Sequence, residues 1–488
     1  GGAELIENID GHKSTASAVL FEPDNVTIIG QSAIDDCDPD HLERWFKREM
    51  GDPNFSVEHF GSTYSAVDLS GMVLKKVISD ASVRCGPIRK AVITVPAYFE
   101  EIPRKATMDA AALAGIEVLA LINEPTAAAL AYAQKANITG RCLIYDFGGG
   151  TFDTSVVDIT SPTSINVLTS RGDNNLGGFN LDEDLAALID SQFVTTYNVS
   201  ALNEKKSRHL LFERAQNIKR RLSSRSQINN ELINNSMGQS ISFSITRGHF
   251  EQIIQPRIRQ TEMLVDHALS KLGLKPADID HVLLVGGSTR IPAVQKMLER
   301  KFSKPPIRSL NPDEAVAMGA AIKAAQLLAQ FDDIAVTAEV RQQFANAQFT
   351  DVTNSSYGTF AVMAEFGTSQ LRNSIILERN TPLPCERTES YFTQSDNQTA
   401  VDISITQGED KDPRFVSVIF EGQMELPPGR PAGQEIRITY RYDENQRMFA
   451  HVIDVTSGIE KNVSLEIGGG SNTVPSIEAS IFNDLVIE

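Results

Sequence analysis

The sequence predicts an α/β fold over residues 1–328 and an all-β sandwich over residues 351–467. In the first part, apolar runs of strand length alternate with helical stretches, which is typical of sheets covered by helices. In the second part, short β-rich runs are separated by turn residues, which is typical of a compact sandwich. A length of 488 residues is sufficient for several folded units of this kind.

The composition disfavours several classes of protein. Apolar residues make up 41% and charged residues 22% of the chain, so it can bury a core and is not disordered as a whole. A net charge of −18 disfavours nucleic acid as the main partner. The four cysteines, Cys37, Cys85, Cys142 and Cys385, form no CxxC pair, which favours a reducing compartment over a zinc or disulfide framework. No apolar run is long enough to span a membrane, so we expect a cytoplasmic protein without membrane contact.

Hydrophobic periodicity gives the positions of individual elements in the first part of the chain. A strand, a helix and a second strand come first, and a later strand is again followed by a helix. Two stretches with helical spacing and charged faces predict a mostly helical subdomain. These elements are the strand Lys90–Val95, the helix Arg104–Ala114, the strand Val118–Ile122, the helical stretches 208–224 and 250–273, the strand Val282–Val285 and the helix Ile291–Phe302.

The remainder of the chain divides into a linker, the sandwich and a tail. Residues 329–350 are polar and helix-like, which predicts a linker. Residues 468–488 begin with a glycine-rich stretch that predicts a flexible tail. The tail has apolar residues at helical spacing (Ile477, Ile481, Phe482 and Leu485), which favours docking on the body of the protein. The clearest sandwich strands are Val401–Ile405, Val416–Phe420 and Ile436–Tyr442.

The most informative motif is the turn Asp146–Asp153, which lies between two apolar strand-like runs. Its glycines, Gly148–Gly150, permit a sharp turn and a close approach of the backbone to a ligand. Successive amides in such a turn bind anions, and the two flanking carboxylates can hold a hydrated divalent cation. The alternative is an ordinary glycine-rich hairpin, but the two acids and Thr151 favour a phosphate site.

Other polar groups fit a nucleotide site, each with a plainer alternative. The turn Gly286–Arg290 follows a strand and opens a helix, so its amides attract anions, although a capped strand–helix turn has the same pattern. Glu124 precedes an alanine-rich helix and is either a cap or a group that positions water or metal. A polar helix face is either solvated surface or a stack for an adenine ring; it consists of Gln216, Lys219, Arg220 and Ser223.

Seven segments, in this order, resemble heat shock protein 70 (DnaK-type) chaperones: Ala91–Phe99, Asn123–Tyr132, Asp146–Asp153, Leu284–Pro292, Asn311–Val316, Asp396–Val401 and Gln407–Glu409. The first five resemble the ATPase domain of the family and the last two its peptide-binding domain. The resemblance extends from about residue 4 to residue 467. It implies an actin-like (ribonuclease H-like repeat) ATPase domain with two lobes, followed by a peptide-binding β-sandwich.

The resemblance also implies roles for individual residues in ATP hydrolysis. Asp146 and Asp153 would position Mg²⁺ and the attacking water, and Glu124 would orient water or the metal's ligands. Lys47 would stabilise the charge of the transferred phosphoryl group. Thr151 and the three glycines Gly148, Gly149 and Gly150 would hold the β- and γ-phosphates. The implied cofactors are ATP or ADP and Mg²⁺, with K⁺ as a further ion.

Three further sets of residues follow from the same resemblance. Gln216 stands where the family usually has Glu, which removes a charge near the ribose but keeps hydrogen bonding. Thr359 and Val362 stand where the family usually has larger apolar groove residues. The adenosine set is Gln216, Lys219, Arg220, Ser223, Gly286, Gly287, Ser288, Arg290 and Asp313; the peptide groove is Thr359, Val362, Phe392 and Val401; the residues that signal between the domains are Pro96 and Arg104.

The sequence departs from the family pattern at three places. The family's first phosphate loop, which would precede Leu5, is not in this sequence, so the chain as written should hydrolyse ATP poorly. Residues 331–348 lie between the two predicted domains in addition to the usual linker. Only Phe349–Val352 corresponds to the family's short leucine-rich segment. A short tail takes the place of the helical lid, so we expect fast exchange of bound peptide.

Three functions are therefore compared. The first is an ATP-dependent chaperone that binds exposed hydrophobic segments of unfolded polypeptides, with J-domain and nucleotide-exchange co-chaperones as partners. The second is a nucleotide-binding but weakly or non-hydrolysing co-chaperone or scaffold of the same family, which the three departures favour. The third is another member of the actin and sugar-kinase superfold, which the β-sandwich disfavours although the fold alone does not exclude it. The order of the catalytic set along the chain favours the first.

Overall fold

The computed structural model describes residues 3–35, 38–330, 337–344, 347–365, 368–443, 448–464 and 486–487. The helices are α1 (Gln31–Asp35), α2 (Ala66–Cys85), α3 (Glu101–Leu113), α4 (Glu124–Ala136), α5 (Gly178–Tyr197), α6 (Lys205–Ser224), α7 (Arg247–Ile253), α8 (Gln255–Lys271), α9 (Pro292–Phe302), α10 (Ala315–Gln330) and α11 (Ala338–Phe344). The strands of the α/β part are β1 (Ala18–Phe21), β2 (Val26–Ile29), β3 (Leu42–Arg44), β4 (Val57–His59), β5 (Ser62–Tyr64), β6 (Lys90–Val95), β7 (Glu117–Asn123), β8 (Gly140–Phe147), β9 (Phe152–Ser161), β10 (Ser164–Asp173), β11 (Gln227–Asn234), β12 (Ser240–Thr246) and β13 (His281–Val285). The later strands are β14 (Gln348–Thr350), β15 (Tyr357–Glu365), β16 (Thr368–Leu377), β17 (Cys385–Phe392), β18 (Ala400–Gln407), β19 (Ser417–Glu425), β20 (Glu435–Tyr442), β21 (Met448–Asp454), β22 (Glu460–Ser464) and β23 (Val486–Ile487).

The largest sheet has five strands in the order β13-β8-β9-β10-β14. β8, β9 and β10 form an antiparallel meander, and β13 and β14 add in parallel at its two edges. Apolar residues of α5, α6 and α8 cover one face, and those of α4 and α10 cover the other. Because both faces are buried, β8 and β13 contain continuous apolar runs, whereas β9 and β10 also carry buried polar residues such as Thr154, Ser155 and Ser170.

Helix α4 is buried on every side, since each residue of Ala127–Ala133 has 0% exposure. Its small side chains allow α10 to approach closely. A Cβ atom at Gly319 of α10 would lie 1.7 Å from the carbonyl oxygen of Ala127. Only glycine fits at this crossing, which sets how α10 lies against α4.

Four smaller sheets complete the α/β part. β1 pairs with β2 and β3, and β23 adds in parallel to β2; β4–β5 and β11–β12 are hairpins. β6 and β7 form a parallel pair connected through α3, and β7 is the one strand that pairs with β6 in the described part of the chain. Helix α2 begins at a capping box in which Ser65 and Asp68 each accept the other's backbone N–H.

The second part of the chain is a sandwich of two four-stranded antiparallel sheets, β16-β15-β18-β19 and β17-β20-β21-β22. Both sheets contribute to a shared apolar core that includes Tyr357, Ile405, Tyr440 and Val452. Buried and less buried residues alternate along β20 and β21, as expected for strands with one face in the core.

The sandwich packs directly on the α/β part. The carboxylate of Glu101 accepts hydrogen bonds from the hydroxyl groups of Tyr357 and Tyr442, at 2.8 and 2.7 Å. The side chain of Asn354 donates to the carbonyl oxygen of Phe99 at 2.7 Å. These bonds are buried or partly buried, so the two parts share a specific polar interface.

The predicted elements agree closely with these bounds, including the strand–turn–strand at Asp146–Asp153 and the strand–turn–helix at Gly286–Arg290. The predicted linker contains α11 and β14, and its residues 331–336 and 345–346 lie outside the described residues. Most of the predicted flexible tail, 468–485 and Glu488, also lies outside them, as does Cys37. The other three cysteines are free thiols.

Candidate functional site

Two carboxylates face each other where β8 meets β9. Asp146 and Asp153 are direct partners in the antiparallel register of the two strands, and both are buried. The glycine turn that connects the strands is closed by a bond from the Gly148 N–H to the carbonyl oxygen of Thr151, at 3.1 Å. The backbone N–H of Tyr98, from the segment after β6, donates to Asp153 at 3.2 Å. The pairing of β8 and β9 thus holds both acids at one end of the large sheet.

Lys47 and Glu124 join these acids from two other segments. Lys47 lies in a short 3-10 turn, Phe46–Glu49, and Glu124 is the first residue of α4. The ammonium group of Lys47 lies 2.6 Å from the carboxylate of Glu124. Because the Lys47 side chain is about half exposed (52%), this pair lies at the solvent-facing side of the cluster.

The electrostatics of the cluster show that it lacks positive charge. Burial, followed by repulsion from Glu124, raises the pKa of Asp153 to about 8. The same two causes raise the pKa of Asp146 well above its ordinary value. Burial lowers the pKa of Lys47, but attraction by Glu124, Asp146 and Asp153 outweighs it, so that the pKa is raised overall. A hydrated divalent cation would relieve this repulsion, so the residues present fit Mg²⁺ bound through water.

Two further glycine segments close around the first turn. Gly286 has a φ of +80°, and a Cβ atom there would lie 2.5 Å from the carbonyl oxygen of Phe147. The Ser288 hydroxyl and the backbone N–H of Gly178 both donate to the carbonyl oxygen of Gly148, at 2.9 and 3.0 Å. The segments 148–150, 177–178 and 286–288 therefore meet backbone to backbone, and side chains would prevent this.

The residues expected to hold adenosine lie at the same end of the molecule, and several are engaged with each other. Lys219 is buried and binds the Asp182 carboxylate and the Gly178 carbonyl oxygen, each at 2.7 Å. Arg290 donates to Asp313 at 2.7 Å and to Asn311 at the same distance. Gln216, Arg220 and Ser223 share one face of α6 with Lys219, with Arg220 exposed and the other two half-buried.

An aromatic contact spans from the Lys47 turn to helices α5 and α6. The ring centroid of Trp45 lies 5.1 Å from that of Phe179 and 6.0 Å from that of Phe212. Next to it, Arg48 lies over the Phe179 ring and donates to Asn180 at 3.3 Å. These contacts hold the turn that carries Lys47 against α5, the helix that begins at Gly178.

The two residues expected to signal between domains lie between the carboxylate cluster and the linker. Arg104 is buried and donates to the Phe99 carbonyl oxygen and to the Asn123 side chain, at 2.9 and 2.5 Å. Asn123 in turn donates to Asp351, directly after β14, at 3.1 Å. Pro96 is buried two residues before Tyr98. Asn123 is the last residue of β7 and immediately precedes Glu124. The contact with Asp351 and the carboxylate cluster therefore both involve the end of β7.

The four residues expected to form a peptide groove have different environments in the sandwich. Thr359 is buried and its hydroxyl lies 3.3 Å from that of Ser404. Val362 and Phe392 are exposed, at 46% and 54%, and Val401 packs partly buried against the sandwich core. A further apolar residue, Leu371, is the direct strand partner of Val362 and is also exposed.

Several residues of the site were missed in the sequence. Arg48 directly follows Lys47 but was not predicted to be a site residue. Two adjacent positive charges are a pattern that could have indicated it. Tyr98 acts through its backbone N–H, and Asp182 acts by binding Lys219; neither has a local signal, because both roles depend on contacts between distant segments.

The described residues lack the features of two other kinds of site. They contain no cluster of three or more His, Cys, Asp or Glu side chains arranged to hold a metal ion directly. Among them, no helix is both long enough and apolar enough to cross a membrane. In a comparison with known families, the model described as "Hsp70 protein" matches residues 39–479, which is most of the chain.

Proposed function

Because this chain belongs to the heat shock protein 70 family, we propose that it is an ATP-dependent chaperone that binds exposed hydrophobic segments of unfolded polypeptides. Residues 1–328 would form the two-lobed, actin-like nucleotide-binding domain, and residues 351–467 the peptide-binding domain. Residues 329–350 would be the linker between them and residues 468–488 a tail. ATP hydrolysis in the first domain would control peptide affinity in the second.

One observation carries the proposal. Lys47, Glu124 and the hairpin that carries Asp146 and Asp153 are separate segments of the chain, and they interact in one cluster beside a glycine turn, with the two aspartates buried. Two buried aspartates with raised pKa values and a single nearby lysine destabilise the folded protein. Such an arrangement is therefore more typical of a functional site than of a purely structural one. Next to a backbone turn that can bind phosphate, it is suited to phosphoryl transfer, in which positioning and charge stabilisation are the main requirements.

Each residue of the cluster has a role that follows from its environment. Mg²⁺, when bound with the nucleotide, would neutralise phosphate charge. Asp146 and Asp153 would hold it through water and would position the attacking water. The Lys47 ammonium would stabilise charge on the phosphoryl oxygens, and Glu124 would hold Lys47 in place. Thr151 and Gly148–Gly150 would contact the β- and γ-phosphates.

A second candidate function is a relative that binds nucleotide but hydrolyses it weakly or not at all and serves as a co-chaperone or scaffold. The specific observation in its favour is that three side chains expected to hold adenosine are already bound within the protein. Lys219 is buried against Asp182, and Arg290 is paired with Asp313. A nucleotide would have to compete with these contacts, which predicts weak binding.

Single-turnover ATP hydrolysis by the protein and by Asp146→Asn tests the proposal. Trp45 is the only tryptophan and lies two residues before Lys47, so we expect its fluorescence to change when nucleotide binds, and nucleotide titrations can be followed in the same samples. We expect both proteins to bind ATP and only the unmodified one to hydrolyse it. Equal hydrolysis rates would refute the role of Asp146, and ATP binding without hydrolysis by either protein would favour the scaffold.

Peptide binding is tested separately by fluorescence anisotropy with a short apolar peptide, with and without ATP. The proposed coupling predicts a lower peptide affinity with ATP. A Val362→Ser variant should weaken binding in both states, because it removes an exposed apolar side chain from the expected groove. An affinity that is unchanged by ATP would contradict the coupled chaperone.

A further inference from the structure

Two arginines lie within electrostatic range of each other at the interface between the α/β part and the sandwich. Arg171 lies near the end of β10, and Arg379 lies in the turn after β16. The guanidinium group of Arg379 stacks over the ring of Tyr98 at 4.2 Å from its centroid. Next to it, Asn380 accepts a hydrogen bond from the backbone N–H of Ser170, at 3.2 Å. The turn 379–380 of the sandwich thus lies directly on the edge of β10.

Several polar atoms of this region are buried without a hydrogen-bond partner in the described part of the chain. They include nitrogen donors from both sides of the interface. Arg171 is nine-tenths buried, at 7% exposure. Its nearest acid is Glu409, at 3.9 Å, which is too long for a hydrogen bond, and that side chain is itself 55% exposed. The atoms are Arg171 Nε, Arg379 Nε, Asn380 Nδ2, Asn174 Oδ1 and Thr169 Oγ1.

The two arginines have no close ion pair among the described residues, although Glu100, Glu409 and Asp153 lie within electrostatic range of them. Burial lowers the pKa of Arg171, and the positive charge of Arg379 lowers it further, while Glu409 and Tyr98 act in the opposite direction. Glu100 also faces Arg379, but burial is the larger effect on this carboxylate and raises its pKa. A buried cation without a well-placed partner destabilises a protein by several kcal/mol. An anion between the two guanidinium groups would remove this cost.

We propose that Arg171, Arg379 and Asn380 form a binding site for a small oxyanion of the phosphate class. The two guanidinium groups and the amide supply donors from both parts of the protein, which suits a group with several acceptor oxygens. Hydrogen phosphate also carries a hydroxyl that can donate to Asn174 Oδ1, which an ionised carboxylate cannot do. The chemistry favours phosphate over acetate or chloride.

Occupancy of this site would stabilise the docked arrangement. Arg171 belongs to the α/β part and Arg379 to the sandwich, so an anion bound by both binds only when the two parts are in contact. A ligand that binds one of two arrangements stabilises that arrangement in proportion to its occupancy. Tyr98 connects the site to Asp153, because its ring contacts Arg379 and its backbone N–H donates to that carboxylate.

Hydrogen exchange of the full chain, measured by mass spectrometry, tests this proposal. Potassium phosphate, potassium acetate and potassium chloride are compared at matched ionic strength, so that general screening is the same in all samples. We expect phosphate to slow exchange in segments 168–174 and 378–381, and acetate and chloride to have no such effect. Segment 148–151 serves as an internal reference, because phosphate bound at the glycine turn would protect it independently of the arginines.

Two variants and a control make the test specific. Arg171→Gln or Arg379→Gln should weaken phosphate protection of 168–174 and 378–381 about tenfold, the loss expected for one charge-assisted hydrogen bond. Arg437→Gln changes an arginine of β20 that is 46% exposed and pairs with Glu435, and it should behave like the unmodified protein. If Arg171→Gln does not fold by circular dichroism, the half-buried Arg379 decides the test alone. Protection by acetate equal to that by phosphate, no protection by phosphate, or protection that persists in both variants would overturn the proposal.

Discussion

The ammonium group of Lys47 and the carboxylate of Glu124 lie 2.6 Å apart, although 77 residues separate them in the chain. Lys47 reaches the cluster from a short turn that is held by the contact of Trp45 with Phe179. Glu124 reaches it from the start of a helix that is buried on every side. The pair therefore depends on the positions of two packed elements, and it places one positive charge beside Asp146 and Asp153.

We expect Lys47→Ala to lower the single-turnover ATP hydrolysis rate by at least about a hundredfold, because removal of one pre-organised donor has an effect of this size in other enzymes. Lys47→Arg keeps the charge and is the matched control; it should retain part of the activity. Trp45 fluorescence should show that all three proteins bind ATP. A hydrolysis rate of Lys47→Ala close to that of the unmodified protein would show that Lys47 has no part in the reaction.

Gly286→Ala should destabilise the protein and weaken nucleotide binding. Its φ of +80° is strained for alanine, and the added Cβ would lie 2.5 Å from the Phe147 carbonyl oxygen. Gly238→Ala is the control, since Gly238 has a φ of +77° but has no atom within 4 Å of its added Cβ. We expect about 1–2 kcal/mol of destabilisation for Gly238→Ala from the left-handed conformation alone, and a larger loss for Gly286→Ala. Urea unfolding measures both, and equal losses would mean that the close contact has no effect.

Glu101→Ala should weaken the contact between the sandwich and the α/β part. The change leaves the buried hydroxyl groups of Tyr357 and Tyr442 without the acceptor that both use, which costs about 1–3 kcal/mol for each unsatisfied group. The single proton of the Tyr357 hydroxyl can be donated to Asn354 Oδ1 instead of Glu101, so the larger effect is expected at Tyr442. In calorimetry, the unfolding transitions of the two parts should move apart.

The exposed Glu117 provides a control for that experiment, because its side chain is 65% exposed and its ion pair is with Lys90. Glu117→Ala should leave the calorimetric profile unchanged, and Glu101→Gln, which keeps an acceptor oxygen, should lie between the two. If Glu101→Ala behaves like Glu117→Ala, the tyrosine–carboxylate contacts do not hold the two parts together.

His209 should make a contribution to the stability of the folded protein that is lost in mild acid, opposite in sign to the contributions of Asp146 and Asp153, whose pKa values are raised. Burial, and then the positive charges of Arg44 and Lys205, lower the pKa of His209 from 6.5 to about 4. Between these two pH values the unfolded chain binds more protons at this group than the folded one, so its contribution to stability falls as the pH falls. The slope from this one group is at most about 1.4 kcal/mol per pH unit. Urea unfolding over this range should show a smaller slope for His209→Gln and an unchanged one for His249→Gln, whose histidine is exposed. An unchanged slope in His209→Gln would contradict this explanation.

Most of the secondary structure was predicted correctly from local sequence patterns. The strand Lys90–Val95, the glycine turn after Asp146 and the turn Gly286–Arg290 were predicted close to their observed bounds. This succeeded because apolar periodicity and glycine positions are local properties of the chain. The mostly helical subdomain was predicted less completely: the hairpin β11–β12 lies between its two helical stretches.

The sequence by itself determined which chemical groups the protein has and the order in which they occur: the two aspartates around a glycine turn, the second glycine turn and the change from α/β to β pattern at about residue 350. Only the tertiary structure decided which of these groups touch. It paired Lys47 with Glu124, closed Gly286 onto Phe147, and placed Arg171 near Arg379 across an interface. The physical reason is that burial and long-range contacts, which raise the pKa of Asp153 and leave the arginine donors unpaired, arise from the packing of distant segments and have no local pattern.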